Sequence, residues 1–320
     1  MMFAKFIVFF CALAAIGLLS ACGHIPLNPD YAGPEILPDK IKKEFAYEKF
    51  RGNYAENVIE TKKKYTIRRI EFAPAQDISG IEHKIMLDYY DVGYKKPGPV
   101  ILCLPILGGN NKETEFFARY YASRGWAAIV VHRQDGYKDE KNLNNLDNLL
   151  RQMVFDHKQA MDWIEMRPEL DSKRIGVFGI SMGSIKASLV QALDSRVKTG
   201  VYCLVGGDLP YILMHSNEAG IIKRRKRIMA DNGFSEAELY DNLRKKIVCD
   251  PLSYGQYIDA RQVLIFLARF DKTVPYAKGI ELWEKIGRPE LYKLPASHYT
   301  SLLFIFYVRS RAFDFFRAHL

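Results

Sequence analysis

A serine lies between two glycines in the stretch 179–183, which reads Gly-Ile-Ser-Met-Gly. An apolar strand pattern precedes it at 174–178, and a helical pattern follows at 184–190. A sharp turn between a strand and a helix leaves little room for side chains two residues before and after the serine, and it exposes the hydroxyl. The pattern therefore predicts Ser181 as a nucleophile. A chance occurrence of the pentapeptide in a loop is the alternative.

A serine hydroxyl is a weak nucleophile, and it needs a base that is itself oriented by an acid. His298 follows a short strand pattern at 291–294, where a loop at the sheet edge could deliver the base. His215 lies among polar helices and His319 is the penultimate residue, so both are weaker candidates. We therefore predict that His298 is the general base.

The orienting acid is predicted to follow the preceding strand. The apolar run at 263–267 is followed by Asp271, ahead of a helix pattern. An aspartate there could instead form an Asx turn or cap the helix. Asp250 and Asp259 are second choices, because both precede the strand.

Backbone N–H groups near the serine are needed to stabilise a developing oxyanion. Met182 follows the nucleophile and is the stronger candidate for one donor. Ile106 or Leu107 could supply the second, and the sequence does not choose between them. Pro105 has no N–H and cannot donate. The second donor is the weakest part of the predicted site.

Strand patterns alternate with helix patterns from about residue 64 onward, which predicts an α/β fold with a mainly parallel sheet and helices on both faces. Functional sites in such sheets lie at the carboxyl ends of the strands. We assign 22–60 to a linker and lead-in, 61–320 to one catalytic domain and 208–260 to a helical cap inserted in it. Strands are predicted at 65–74, 83–92, 100–105, 127–132, 174–180, 200–205, 263–267 and 291–294, and helices at 113–123, 149–166, 182–193, 212–230, 236–248, 277–286 and the C-terminus.

The stretch 162–183 and the Asp271 turn with its Val-Pro pair at 274–275 resemble the α/β-hydrolase superfamily, in particular the dienelactone hydrolase and acetyl-xylan-esterase-like branches. The resemblance covers roughly residues 64–320. It implies the α/β-hydrolase fold with an eight-stranded type of sheet. It also implies hydrolysis of a carboxylic ester, or less often an amide, through an acyl-enzyme with no metal or other cofactor. Many relatives carry His-Gly after the third strand, which this chain lacks.

The N-terminal residues 1–21 have the layout of a secretory signal, with Lys5 followed by an apolar run and small residues. The run is short for a membrane-spanning helix, although an uncleaved anchor is the alternative. The stretch 19–22, Leu-Ser-Ala-Cys, resembles the lipobox of bacterial lipoproteins, which implies that Cys22 is acylated and anchors the chain to a membrane. Gly23, rather than Asp, follows the cysteine. By the same resemblance this favours the outer membrane, with the protein facing the periplasm.

The net charge is +9 over 320 residues, which concerns association rather than fold. No nucleic-acid-binding motif accompanies the charge, so we expect no nucleic-acid partner. The basic run at 222–227 is interpreted as a solvated helix face, with anionic lipid headgroups or an acidic substrate as alternatives. We expect no metal site, because no Cys/His spacing suits one. A disulfide among Cys103, Cys203 and Cys249 stays open, as does the oligomeric state.

Three functions are consistent with these patterns. The first is a serine esterase at the cell envelope that acts on a small-molecule acyl ester. The second is an acyltransferase with the same three residues, because the sequence does not distinguish water from an alcohol as the acceptor. The third is a non-catalytic binding lipoprotein on a hydrolase fold, since a fold alone does not establish activity.

Overall fold

The computed structural model describes residues 23–107, 111–132 and 145–320. Ten strands in these ranges form one sheet, in the order β1-β10-β9-β8-β7-β5-β6-β4-β3-β2. The strands are β1 (Gly23–Ile25), β2 (Ala55–Thr61), β3 (Thr66–Phe72), β4 (Ile85–Asp91), β5 (Gly98–Leu104), β6 (Ala127–Val131), β7 (Leu170–Ile180), β8 (Val197–Cys203), β9 (Val263–Ala268) and β10 (Glu290–Leu294). The helices are α1 (Asp39–Glu44), α2 (Lys112–Ser123), α3 (Leu146–Glu165), α4 (Met182–Leu193), α5 (Leu209–His215), α6 (Ala219–Asn232), α7 (Glu236–Lys246), α8 (Pro251–Tyr254), α9 (Tyr276–Ile286) and α10 (Ile305–His319).

Six neighbouring strands, from β6 through β5, β7, β8 and β9 to β10, run parallel. Every residue of β5, β6 and β9 is buried, as expected for strands covered on both faces. Helices α3, α4 and α9 pack on one face of the sheet, and α2 and α10 pack on the other. The predicted α/β class, with a mainly parallel sheet and helices on both faces, is confirmed.

The sheet is wider than the eight strands expected, because strands were missed in the stretch taken for a linker. Strand β1 pairs antiparallel with β10, and β2 pairs antiparallel with β3. A three-residue strand such as β1 has no readable alternation of its own. It is held by hydrogen bonds to an edge that already exists, so the pairing and not the local pattern creates it.

The cap stretch 208–260 contains four α-helices, α5 to α8, before β9 begins. The single helix expected at 212–230 is in fact two, because the chain breaks at 216–218. There the Glu218 side chain accepts a hydrogen bond from the Ile221 N–H, which caps the start of α6. Helix α7 begins with a complete capping box between Ser235 and Glu238. In the described ranges, no helix is both long and apolar enough to cross a bilayer.

Candidate active site

Ser181 lies in a strained turn between β7 and α4. Its φ of 55° and ψ of −121° belong to a region that a residue with a side chain rarely adopts. A Cβ at Gly183 would lie 2.0 Å from the Leu104 carbonyl oxygen, and one at Gly179 would lie 2.3 Å from the Gly183 backbone. The two glycines are therefore required by close backbone approach, as the sequence pattern predicted.

The backbone on both sides fixes this turn. The Ser181 N–H donates to the Cys203 carbonyl on the neighbouring strand at 2.8 Å. The Ser181 carbonyl accepts from Ser184 N–H and Ile185 N–H at 2.9 and 3.2 Å, so the helix starts at once. Ser184 Oγ also bonds to Cys203: it donates to the Cys203 carbonyl and accepts from the Cys203 N–H. The serine side chain is thereby held at the carboxyl edge of the sheet.

Asp271 and His298 are joined by a hydrogen bond of 2.7 Å between Oδ2 and Nδ1. Asp271 is buried and the His298 side chain is only 13% exposed. The other carboxylate oxygen, Oδ1, accepts from the N–H groups of Thr273 and Val274 at 2.9 and 3.0 Å. The carboxylate thus holds the imidazole by Nδ1 and leaves Nε2 for a reacting proton.

The other histidines and aspartates considered from the sequence are engaged elsewhere. His215 is exposed and stacks on Tyr211, and His319 bonds to the Phe315 carbonyl. Asp250 accepts three backbone N–H groups, from Asp208, Leu209 and Leu252, and burial raises the pKa of its carboxyl. Asp259 forms an ion pair with Arg261. None of the four contacts His298.

Ser181 and His298 line one cavity of about 730 Å³. No hydrogen bond between Ser181 Oγ and the His298 ring is formed within the described part of the chain; such bonds often tighten only around the reacting substrate. Met182, Ile106 and Leu107, the three residues predicted for the oxyanion site, line the same cavity. The structure therefore gathers the predicted site residues at one place without choosing between the last two.

Most of the cavity wall is apolar, and the cap contributes the largest share of the residues that line it. Cap residues also bring polar groups to the cavity wall: Glu218, which the sequence interpretation missed, and Arg224 and Arg225, for which contact with an acidic substrate was the alternative interpretation. Arg224 and Arg225 belong to the basic run taken for a solvated face, and both are only partly exposed. Ile221, Arg224, Arg225 and Ile228 all line the cavity. Their i, i+3, i+4, i+7 spacing was the signal that could have revealed this.

Within residues 23–107, 111–132 and 145–320, no cluster of His, Cys, Asp or Glu side chains could hold a metal ion. Cys103, Cys203 and Cys249 are buried free thiols, and burial raises the pKa of each. Cys22, the predicted acylation site, lies outside the described residues.

Comparison with solved structures identifies the fold. Acetyl xylan esterase from Paenibacillus sp. R4 superposes with a TM-score of 0.66 at 18% identity, covering 88% of this chain and 92% of that one. The chain has the α/β-hydrolase fold. Acetyl xylan esterase 1 from Thermoanaerobacterium sp. JW/SL YS485 gives 0.62 at 15% identity, covering 89% and 99%. The α/β hydrolase GrgF from Penicillium sp. sh18 gives 0.56 at 17% identity, covering 78% and 98%.

Sequence comparison reaches less far than structural comparison. No family model matches the chain. A provisionally named hydrolase, YtaP of Bacillus subtilis (strain 168), is 39% identical over 49 residues. That match spans 15% of this chain and 16% of the relative. At these levels of identity the likeness establishes the fold, and the chemistry must be argued from the site.

Proposed function

We propose that this protein is a serine hydrolase that cleaves carboxylic esters through an acyl-enzyme. The observation that carries the proposal is the buried Asp271–His298 hydrogen bond in the cavity that Ser181 lines. The strained turn at Ser181 adds support, because such strain persists only where the surrounding structure enforces it. The esterase names of two structural neighbours are consistent with this chemistry.

The residues suggest the following steps. Ser181 Oγ attacks the acyl carbonyl carbon while its proton passes to His298 Nε2, and Asp271 stabilises the resulting imidazolium. The carbonyl oxygen becomes an oxyanion that accepts from Met182 N–H and from Ile106 or Leu107 N–H. His298 then protonates the leaving alcohol as the C–O bond breaks. Water, deprotonated by His298, attacks the acyl-enzyme and releases the acid and Ser181.

The shape and polarity of the cavity favour an ester with an apolar acyl chain. Its volume of about 730 Å³ exceeds what an acetyl group needs, and its wall includes Leu213, Leu239 and Leu243 of the cap. Apolar walls of this kind bind by removing hydrocarbon from water. We therefore propose that the acyl group is longer than acetyl.

The proposed location is the bacterial cell envelope, with Cys22 acylated and the domain facing the periplasm. Support comes from the lipobox-like stretch 19–22 and from the signal-like residues before it. Several acyl chains, each burying many CH₂ groups at about 0.8 kcal/mol apiece, suffice to hold a globular domain at a membrane. Gly23 after the cysteine favours the outer membrane.

Labelling with a fluorophosphonate probe tests the enzyme proposal. Wild type should label, whereas Ser181→Ala and His298→Ala should lose the label and reduce ester hydrolysis by at least about a thousandfold. Ser195→Ala is the control, because Ser195 is an exposed serine that does not line the cavity, and it should keep the label. An unlabelled wild type would contradict the proposal and favour a binding protein. Products formed with an added alcohol acceptor would show acyl transfer instead of hydrolysis.

A further inference from the structure

Strongly exposed apolar side chains lie on the two segments of the chain that carry Asp271 and His298. In the described residues, half of the strongly exposed large apolar side chains lie at position 270 and in the stretch 299–306. Each of these side chains has more than half of its surface exposed. We call this set the apolar rim; it comprises Phe270, Tyr299, Leu302, Leu303 and Phe306. An exposed apolar cluster of this kind next to a pocket marks an interaction surface.

The rim is continuous with the candidate active site. Tyr299 and Leu302 line the cavity and are also exposed to solvent, so they lie where the cavity meets the surface. The Phe270 N–H donates to the Ala296 carbonyl at 3.0 Å, which joins the Asp271 loop to the His298 loop. A ligand that covers the rim therefore covers the entrance to Ser181 and His298.

The register of the edge strand places the start of the described chain near this rim. Gly23 pairs with Lys293, next to the carboxyl end of β10, and the His298 loop leaves that end of the strand. Because β1 is antiparallel to β10, Gly23 lies at the same edge of the sheet as the candidate site. Cys22, the proposed site of the acyl chains, directly precedes Gly23 in the sequence.

The sequence neighbours of the rim residues are basic rather than acidic, apart from Asp271, although Glu113 lines the same cavity. Arg269 and Lys272 flank Phe270 in sequence, and both are exposed. No acidic residue occurs between Glu290 and Asp314, the stretch that carries four of the five rim residues. Exposed basic residues beside apolar ones are the combination that binds at the boundary of an anionic bilayer.

We propose that the apolar rim docks on a bilayer containing anionic lipids and that the substrate is an acyl ester of a membrane lipid. This inference rests on the proposed hydrolase function and on the proposed anchor at Cys22, and it adds the orientation of the domain and the source of the substrate. The anchor holds the rim against the bilayer, the rim side chains enter its boundary region, and the acyl chain passes from lipid into the cavity without crossing water.

Spin labels on the acylated full-length lipoprotein in phosphatidylethanolamine–phosphatidylglycerol vesicles test the orientation. Leu303→Cys places the label at the most exposed rim residue, and Val58→Cys places it on exposed β2 at the other edge of the sheet. The other cysteines of the folded domain are buried. At position 303 we expect strong relaxation by oxygen and weak relaxation by an aqueous nickel complex; at position 58 the nickel complex should dominate.

Two results would overturn the proposal. If the label at 303 is as accessible to nickel as the label at 58, the rim faces water. If it is shielded from both oxygen and nickel, the rim is covered by protein, as in a contact between two copies of this chain. The measurement needs no turnover, so it stands apart from the fluorophosphonate test of the hydrolase function.

The source of the substrate is tested with Leu303→Asp, because Leu303 does not line the cavity. We expect about a tenfold lower rate on a phospholipid ester within vesicles, since one buried leucine contributes roughly that factor to binding. The rate on a water-soluble p-nitrophenyl ester should be unchanged. Val58→Asp should change neither rate. Equal rates of Leu303→Asp and wild type on the vesicle substrate would overturn the lipid assignment.

Discussion

At the scale of single residues, Asp271 shows that two interpretations of one side chain can hold together. An aspartate in this turn was expected either to orient the base or to form an Asx turn. The hydrogen bonds are compatible with both, because Oδ1 accepts from Thr273 and Val274 N–H while Oδ2 accepts from His298. The turn fixes the carboxylate, and a fixed carboxylate can orient the imidazole without further cost in side-chain entropy.

A second residue, His157 in α3, has consequences for stability and not for chemistry. It is buried, and burial together with the Lys186 charge lowers its pKa to about 3. The unfolded chain binds a proton near pH 6.5, so between that pH and 3 the unfolded state holds more protons. The stability contributed by the neutral imidazole is therefore present above pH 6.5 and decreases as the pH falls.

His157→Leu should make the protein less sensitive to acid. Between pH 7 and pH 4.5, wild type should lose about 2.5 kcal/mol of unfolding free energy more than the variant, because each pKa unit corresponds to about 1.4 kcal/mol. Urea unfolding at the two pH values measures this difference. His215→Leu, at an exposed histidine, should follow wild type. Identical pH dependence in His157→Leu and wild type would refute the assignment.

At the scale of elements, the cap determines what the cavity can accept. Helices α5, α6 and α7 all contribute to its lining, whereas Ser181 and His298 come from segments that follow strands of the sheet. The cap is thus the element in which substitutions should change selectivity while the chemistry is preserved. Leu213 on α5 is suited to such a test, because it is only partly buried and lines the cavity.

Leu213→Trp should shorten the acyl part of the cavity. We expect kcat/KM for p-nitrophenyl octanoate to fall about tenfold, while that for p-nitrophenyl acetate stays within about twofold, since a pocket change of this size discriminates by one to two orders of magnitude. His215→Trp is the control on the same helix, because it does not line the cavity. An equal loss on both esters would mean that the variant disturbs the reacting residues instead.

At the scale of the whole molecule, the two edges of the sheet differ in their distance from the candidate active site. The edge at β2 carries the exposed residues Val58 and Ile59 and is far from the site in strand order. The edge at β1 and β10 joins the first described residue to the loop that delivers His298. A tether at this end therefore orients the domain as well as retaining it.

Cys22→Ser should abolish the proposed acylation. The variant should lose incorporation of radiolabelled palmitate and should no longer pellet with membranes as an acylated protein, because the acyl chains are gone. Membrane fractionation with palmitate labelling measures both. Gly23→Ala is the control, since its Cβ would meet Lys293 at an ordinary 3.7 Å, and it should keep the label. Palmitate incorporation that survives in Cys22→Ser would contradict the lipobox interpretation.

The sequence alone was informative where the determinants are local. The glycines of 179–183 are required by contacts within one turn and its neighbouring strand, so the pattern pointed to the right geometry. Buried parallel strands are continuous apolar runs, which made the α/β class readable. Ser181, Asp271 and His298 were predicted from their positions after strand patterns, and each lies within a few residues of a strand end in the structure.

Only the tertiary structure decided the features that depend on pairing over long distances in the chain. Strand β1 exists because Gly23 meets Lys293, 270 residues later, and no local pattern reports such a pairing. The place of Arg224 and Arg225 in the cavity also depends on how the cap packs over the sheet, although the helical spacing already marks the face that they share. Steric constraints within a turn and the hydrophobic period of a strand or helix depend on residues that are close in sequence. Edge pairing and cap packing depend on the energy of the whole fold.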